Sequence, residues 1–216
     1  MSNRPASVSR KAVLFGVPLV LGLLELGHPA FMPNDDIFEV VAPIVVWWTA
    51  LHVVQIPLFA LLGLAVVLLV RNLQGRSAQV SRAAIAVFVV VYPAFDAAVG
   101  VSSGILIQNL LTLGADQRAA LQPAFRALFW GPITGLLAIV ASASWLVALL
   151  AAAWAWRRAY ASRIAVALLA VSGLLLAVSH IRPFGPLGCL SFLIAAVLIE
   201  RRPGKVGTTP AAPGPG

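Results

Sequence analysis

The chain has 216 residues, of which 61% are hydrophobic and only 10% are charged. A soluble domain carries roughly 25% charged residues, so this composition indicates a protein that crosses the membrane several times. The apolar residues lie in long blocks and every polar stretch between them is short. The pattern therefore excludes a separate soluble domain.

The net charge of +8 does not indicate nucleic-acid binding, because the basic residues flank the apolar blocks. Twelve of the fifteen lysines and arginines fall into four clusters, as cytoplasmic loops do under the positive-inside rule. We therefore expect membrane lipids and no nucleic acid as partners. The clusters are Arg4, Arg10 and Lys11; Arg71, Arg76 and Arg82; Arg157, Arg158 and Arg163; and Arg201, Arg202 and Lys205.

The apolar blocks predict six helical spans in chain order. Because the basic clusters belong on the inner side, both termini are expected in the cytoplasm. The predicted fold class is all-α, a six-helix transmembrane bundle of the cell membrane that forms one domain over residues 1–202. The spans cover about 12–28, 43–70, 83–112, 127–156, 163–180 and 184–200.

Three connections are expected on the outer side, and two of them are long enough for interfacial helical turns. These two cover about 29–42 and 113–126, and the third is the short turn IRPFGP. The glycine- and proline-rich segment 203–216 predicts a disordered cytoplasmic tail. The oligomeric state is left open by the sequence.

Five ionisable residues lie inside or at the ends of predicted spans, and they include every histidine of the chain. A charged group at the centre of a span costs about 2.5–3.5 kcal/mol on insertion scales, so such residues usually face the bundle interior. The predicted topology places all three histidines in the outer half. The five residues are Glu25, His28, His52, Asp96 and His180.

Helical spacing groups these residues with other polar and aromatic side chains. Glu25 and His28 share a helix face at i,i+3 spacing, and Gln55 shares a face with His52. Asp96 follows Tyr92 by one turn and precedes Gly100 and Gly104, whose small-xxx-small spacing permits close helix approach. The sequence therefore predicts one polar pocket that receives Glu25, His28, His52, Gln55, Tyr92, Asp96 and His180.

The first functional hypothesis is acid–base chemistry on a lipophilic small molecule, without a cofactor. Burial in an apolar pocket would keep the carboxyl group of Asp96 neutral, so that it could donate a proton. Glu25 would be its partner, and His52, Gln55 and Tyr92 would complete the catalytic set. The predicted substrate site has two further parts. Aromatic faces could stabilise a carbocation, from Trp48, Phe95, Trp130 and Trp145. Arg182 could bind a phosphate or a lipid headgroup.

The hydrophobic layout of the whole chain, with Glu25 in LLELGHP and Asp96 in YPAFDAAVG, resembles the integral membrane terpene cyclases. The resemblance implies a multi-spanning helical enzyme that protonates and cyclises isoprenoid chains. It also implies that the two carboxyl groups are the candidate acids.

Two alternatives remain open at this stage. Glu25, His28, His52 and His180 could bind a transition metal, or a pair of histidines could ligate haem. The polar residues could instead serve a small transporter, or hold helices together in an accessory membrane subunit.

Overall fold

The computed structural model describes residues 9–30 and 35–201, and within these ranges the chain is helical and contains no strand. The predicted tail 203–216 and the basic residues Arg4, Arg202 and Lys205 lie outside the described residues. The helices are α1 (Val17–Leu26), α2 (Ile37–Val41), α3 (Val45–Val70), α4 (Arg76–Asp96), α5 (Ser102–Leu110), α6 (Ala115–Trp130), α7 (Pro132–Arg158), α8 (Arg163–Val178) and α9 (Phe184–Glu200).

Short irregular helical turns join several of these helices into longer rods. A π-helical turn, Ala12–Gly16, leads into α1, and a 3₁₀ turn, Ala42–Ile44, joins α2 to α3. A second π-helical turn, Ala97–Val101, joins α4 to α5. Each of the three longest rods thus contains two α-helices and corresponds to one predicted span.

Three rods are long and apolar enough to cross a membrane, namely Ile37–Val70, Arg76–Leu110 and Ala115–Arg158. Arg163–Val178 and Phe184–Glu200 are shorter apolar helices. Many large apolar side chains of these rods are exposed, for example Val46 at 75% and Ile139 at 68%. An all-helical membrane protein is therefore the class that the fold defines.

The boundaries differ from the predicted spans at three places. Both long connections contain helices, α2 within 29–42 and α6 over most of 113–126. The third span is predicted to begin at about residue 83, and the helix that contains it, α4, begins seven residues earlier at Arg76. Ala78 and Ser81 are buried in its first two turns. The helix therefore begins before the apolar block that hydropathy detects.

Six helical segments pack in chain order and close into a ring. α1 contacts α3, α3 contacts α4, and α4 packs along α7; α7, α8 and α9 then follow, and α9 returns to α1. At one end of the seam between α1 and α9, Arg10 donates two hydrogen bonds to Glu200, at 2.5 and 2.7 Å. The first and last described helical segments therefore meet.

Two apolar clusters fill the interior. The larger cluster lies inside the ring and includes Phe59, Tyr92, Trp145 and Phe192. The smaller cluster includes Trp48 and joins α2, α6 and the π-helical turn at one end of the molecule. The histidines lie where these two clusters meet, since Trp48 and Tyr92 belong to different clusters and both contact histidines.

Candidate metal centre

The three histidines of the chain come together at one point. Their candidate ligand atoms all lie within 4.8 Å of one another. His28 follows the C-terminus of α1, His52 lies on α3, and His180 lies in the turn between α8 and α9. Three separate helical segments thus supply one imidazole each.

Backbone carbonyl groups orient two of the imidazoles. Nδ1 of His28 lies 2.8 Å from the carbonyl oxygen of Pro29, and Nδ1 of His52 lies 2.7 Å from that of Trp48. A carbonyl oxygen accepts a hydrogen bond only from a protonated nitrogen, so each Nδ1 donates. In the neutral tautomer, Nε2 of each ring then presents a lone pair.

The two Nε2 atoms of His28 and His52 face each other at 3.4 Å. Two nitrogens bound tetrahedrally to zinc at 2.0–2.1 Å are about 3.3 Å apart. Metal-ligating histidines typically donate their second ring N–H to a carbonyl or carboxylate, as both rings do here. The pair therefore has the spacing and the orientation of two ligands of one ion.

His180 is the third member of the cluster. Its ring centroid lies 5.1 Å from that of His28 and 5.9 Å from that of Tyr92. Its Nε2 atom is buried and makes no hydrogen bond among the described residues. A third nitrogen lone pair or N–H thus points into the interior without a protein partner.

Two glycines make room for these histidines. A Cβ atom at Gly100, in the π-helical turn, would collide with the ring of His52. A Cβ atom at Gly185, in the first turn of α9, would collide with the carbonyl oxygen of His180. The predicted close approach at Gly100 and Gly104 is confirmed, because a Cβ at Gly104 would meet the Thr49 hydroxyl.

Asp96 lies beside the histidines on α4. Its Oδ1 atom is 3.9 Å from Nε2 of His52, which places a carboxyl group next to the lone pairs that would bind an ion. The π-helical turn begins at the following residue, and such turns are frequent at functional sites because they redirect side chains. The carboxyl group is close enough to contact a water molecule bound to that ion.

Glu25 and Gln55 form a second buried pair, one helical turn away from His28 and His52. The Gln55 Nε2 atom donates to Glu25 Oε1 at 2.6 Å, and both side chains are fully buried. Several buried oxygens around this pair have no hydrogen-bond partner in the described part of the chain, and each such group costs roughly 1–3 kcal/mol if nothing satisfies it. These atoms are Glu25 Oε2, Gln55 Oε1, Tyr92 Oη and Asp96 Oδ2.

Aromatic side chains enclose the polar residues. The Trp48 ring lies 4.1 Å from that of His52, and its Nε1 atom donates to the Gly100 carbonyl at 2.7 Å. Phe59 and Phe95 pack against Tyr92, with ring centroids 4.0 and 6.0 Å away. Water would have little access to charges inside this shell, which strengthens their interactions.

Most of the predicted site residues converge, and two aromatic residues lie elsewhere. Trp145 packs against Phe88 and Phe192 in the larger cluster. Trp130, at the end of α6, is 66% exposed. Arg182 is exposed in the turn after His180, near enough to interact electrostatically with His28.

Sequence reasoning missed the parts of the site that have no reactive side chain. The carbonyl groups of Pro29 and Trp48 orient two rings, and Gly185 makes room for the backbone of His180. Trp48 was predicted to bind substrate, whereas its backbone and ring here contact His52. In the sequence, only Gly185, in the turn IRPFGP, could have indicated that the backbone of His180 packs closely against α9.

Comparison with known proteins adds no relative, since no protein-family model, curated protein or solved structure matches this chain. The class of the protein follows from its own geometry. It is a helical membrane protein in which two buried histidines and one partly buried histidine come together, with two buried carboxyl groups nearby.

Proposed function

We propose that the protein is an integral membrane metalloprotein that binds a transition-metal ion through His28, His52 and His180. The observation that carries the proposal is the convergence of these histidines, with two Nε2 atoms 3.4 Å apart. Three imidazoles suit zinc, copper, iron or nickel. They surround one point, which favours a single ion over haem held between two axial ligands.

The three-histidine set leaves a coordination position for water or substrate, as catalytic zinc sites do. Asp96 lies where it would accept a proton from that water, and a bound ion lowers the pKa of such a water to about 7 in favourable sites. We therefore favour an enzyme over an electron carrier. Its substrate would be lipophilic, because the site lies within the apolar interior of a membrane protein.

The packing supports six crossings of the cell membrane with both termini cytoplasmic. Six helical segments form the ring, and the contact between Arg10 and Glu200 brings its two ends to the same side. An even number of crossings gives this arrangement. With the basic clusters on the cytoplasmic side, the three histidines would lie in the outer half of the bundle.

The metal content of the purified protein tests the proposal. After exposure to Zn²⁺ and removal of loosely bound ions, the wild-type protein should retain zinc. His52→Ala and His180→Ala should lose most of it, because a three-ligand site does not hold an ion tightly with two. Ser172→Ala is the control, since Ser172 is a buried side chain on α8 that makes no described hydrogen bond. Equal zinc content in all four proteins would contradict the proposal.

Acid–base chemistry at the carboxyl groups is a second candidate function. The observation that favours it is the burial of Glu25 and Asp96, each with one oxygen that lacks a hydrogen-bond partner within residues 9–30 and 35–201. A neutral acid in this shell could protonate an isoprenoid alkene, and Tyr92 and Phe95 would face the resulting cation. Terpene cyclisation is the reaction that the layout resemblance suggests.

Asp96→Asn separates the acid hypothesis from a purely structural role. The variant should fold and keep the zinc ion at the three histidines, and it should lose turnover of isoprenoid test substrates. Full turnover in the variant would exclude Asp96 as the acid. Turnover that instead disappears when zinc is removed from the wild type would favour the metal-bound water.

A further inference from the structure

Four oxygen atoms near the histidines have no hydrogen-bond partner among the described residues. All four are buried, and their residues come from α1, α3 and α4; Tyr92, the most exposed, is 6% exposed. Two of them are carboxyl oxygens, which can only accept hydrogen bonds when the acids are ionised; the third is an amide oxygen, which only accepts, and the fourth is a phenol oxygen. The atoms are Glu25 Oε2, Gln55 Oε1, Tyr92 Oη and Asp96 Oδ2.

These oxygens belong to one cluster. Glu25 and Gln55 are joined by the hydrogen bond of 2.6 Å. Glu25 also interacts electrostatically with Asp96, and Tyr92 interacts with both carboxyl groups. Tyr92 and Asp96 are one turn apart on α4, so they share a face of that helix.

The cluster lacks a compensating positive charge within residues 9–30 and 35–201. Neither Glu25 nor Asp96 forms an ion pair with an arginine or lysine there, and the one ion pair of Asp96 is the 3.9 Å contact with His52. Two buried carboxylates without a counter-charge are strongly unfavourable. A divalent cation between them would neutralise both charges at once.

We propose that Glu25, Gln55, Tyr92 and Asp96 form a second cation site, which binds an oxygen-preferring divalent ion beside the histidine-bound ion. The two carboxylates would supply the charge, and Gln55 Oε1 and Tyr92 Oη would be neutral ligands. Such an all-oxygen set is typical of Mn²⁺ or Mg²⁺. The inference rests on the proposed function, since the histidine site is its neighbour.

The spacing fits a paired centre. Glu25 precedes His28 by three residues and Gln55 follows His52 by three, which displaces the oxygen pair from the nitrogen pair by about 4.5 Å along the helices. Ions of two-metal sites lie about 3.5–4 Å apart. Asp96 would bridge them, because Oδ1 lies near His52 and Oδ2 has no partner.

Manganese stoichiometry tests the inference on the full chain purified in detergent. After loading with Mn²⁺ and desalting, the wild type should retain two ions per chain, and electron paramagnetic resonance should detect a spin-coupled pair. Glu25→Gln should retain one ion and lose the coupling. Glu39→Gln, which removes an exposed carboxylate of α2, is the matched control and should retain two.

The outcomes separate the two sites. One ion in both wild type and Glu25→Gln, lost in His52→Ala, would overturn the second site and keep the histidine site. One ion that Glu25→Gln loses and His52→Ala keeps would overturn the histidine site instead. No retained ion would overturn both.

A milder variant keeps the test valid if Glu25→Gln does not fold. Tyr92→Phe removes only a neutral ligand, so it should weaken binding of the second ion several-fold and leave the first unchanged. Infrared spectroscopy gives an independent measurement. A protonated-carboxylic-acid band that persists in Mn²⁺-loaded wild type would mean that protons, and no cation, neutralise these acids, and it would overturn the proposal.

Discussion

At the residue scale, backbone carbonyl groups fix the tautomer and the orientation of two histidines. A carbonyl oxygen holds the proton on Nδ1 in both His28 and His52, so both Nε2 atoms face the same point as acceptors. Two lone pairs 3.4 Å apart repel each other, and a bound cation removes that repulsion. The two imidazoles are thus oriented by uncharged backbone groups, as the proposed metal site requires.

Gly100→Ala tests this orientation without touching a ligand. The added methyl group collides with the His52 ring, so we expect a loss of about 1–3 kcal/mol in the free energy of unfolding and a fall in zinc affinity of at least tenfold. Thermal unfolding and titration against a chelator measure both effects.

Gly135→Ala is the control for that substitution, because a Cβ atom there meets nothing within 4 Å. Alanine is favoured over glycine in a helix by about 1 kcal/mol, so stability should stay equal or rise. Unchanged zinc affinity in Gly100→Ala would show that the His52 ring is not held in place by this contact.

The ionisable residues could be predicted from the sequence, but their meeting point could not. Depth follows from residue number and the direction of each helix, which predicted that His28, His52 and His180 lie in the outer half of the bundle. The rotation of each helix about its axis depends on packing contacts such as Gly100 against His52. Trp130 and Trp145 illustrate the same limit, because their faces point to the surface and to another core region.

At the element scale, the polar connection 113–126 was the least predictable part. Its hydropathy is low, yet α6 forms there because Phe125 and Phe129, one turn apart, bury against the smaller cluster. Gln117 accepts a hydrogen bond from the Gly114 N–H at its start. The Phe125 ring lies 6.5 Å from that of Phe38 on α2, so α2 and α6 together cover one end of the site.

Phe125→Ala should loosen α6. Replacing a buried phenylalanine in a core with alanine typically lowers the free energy of unfolding by about 3–5 kcal/mol. Most other side chains of α6 are exposed, so few other contacts hold this helix in place. Hydrogen–deuterium exchange over 115–130 should accelerate, while exchange in α7 should not change. Leu121→Ala, on the exposed side of α6, is the control and should leave the exchange of both helices unchanged.

At the scale of the whole molecule, the ring closes between its first and last helical segments. The pair Arg10–Glu200 is bidentate and partly exposed, at 20% and 26% of the two side chains. Because partial exposure screens the charges, its contribution is modest. Hydropathy alone predicted the helices that form the ring, whereas it contained no information about this closing contact.

Glu200→Gln should lower the free energy of unfolding by about 1 kcal/mol or less, and Arg10→Gln should do the same. The double variant should be no less stable than either single variant, because the same contact is lost once. Arg201→Gln, a neighbouring exposed residue, should have no effect. Additive losses in the double variant would mean that the two residues act separately.

Labelling from one side of the membrane tests the six-crossing arrangement. Cysteines placed at Lys11 and at Arg201 should react with an impermeant maleimide only when the cytoplasmic face is accessible. A cysteine at Asp116 should react from the opposite face. The native Cys189 is 1% exposed and should stay unlabelled, which keeps the background low.

The position of His180 has a consequence for biosynthesis. It comes late in the chain, in the turn before α9, and Gly185 in that last helix packs directly against its backbone. A ribosome that has delivered α1 to α7 into the membrane has supplied only two of the three imidazoles. An ion could be captured tightly only after the final hairpin inserts, so acquisition of the metal would report that insertion is complete.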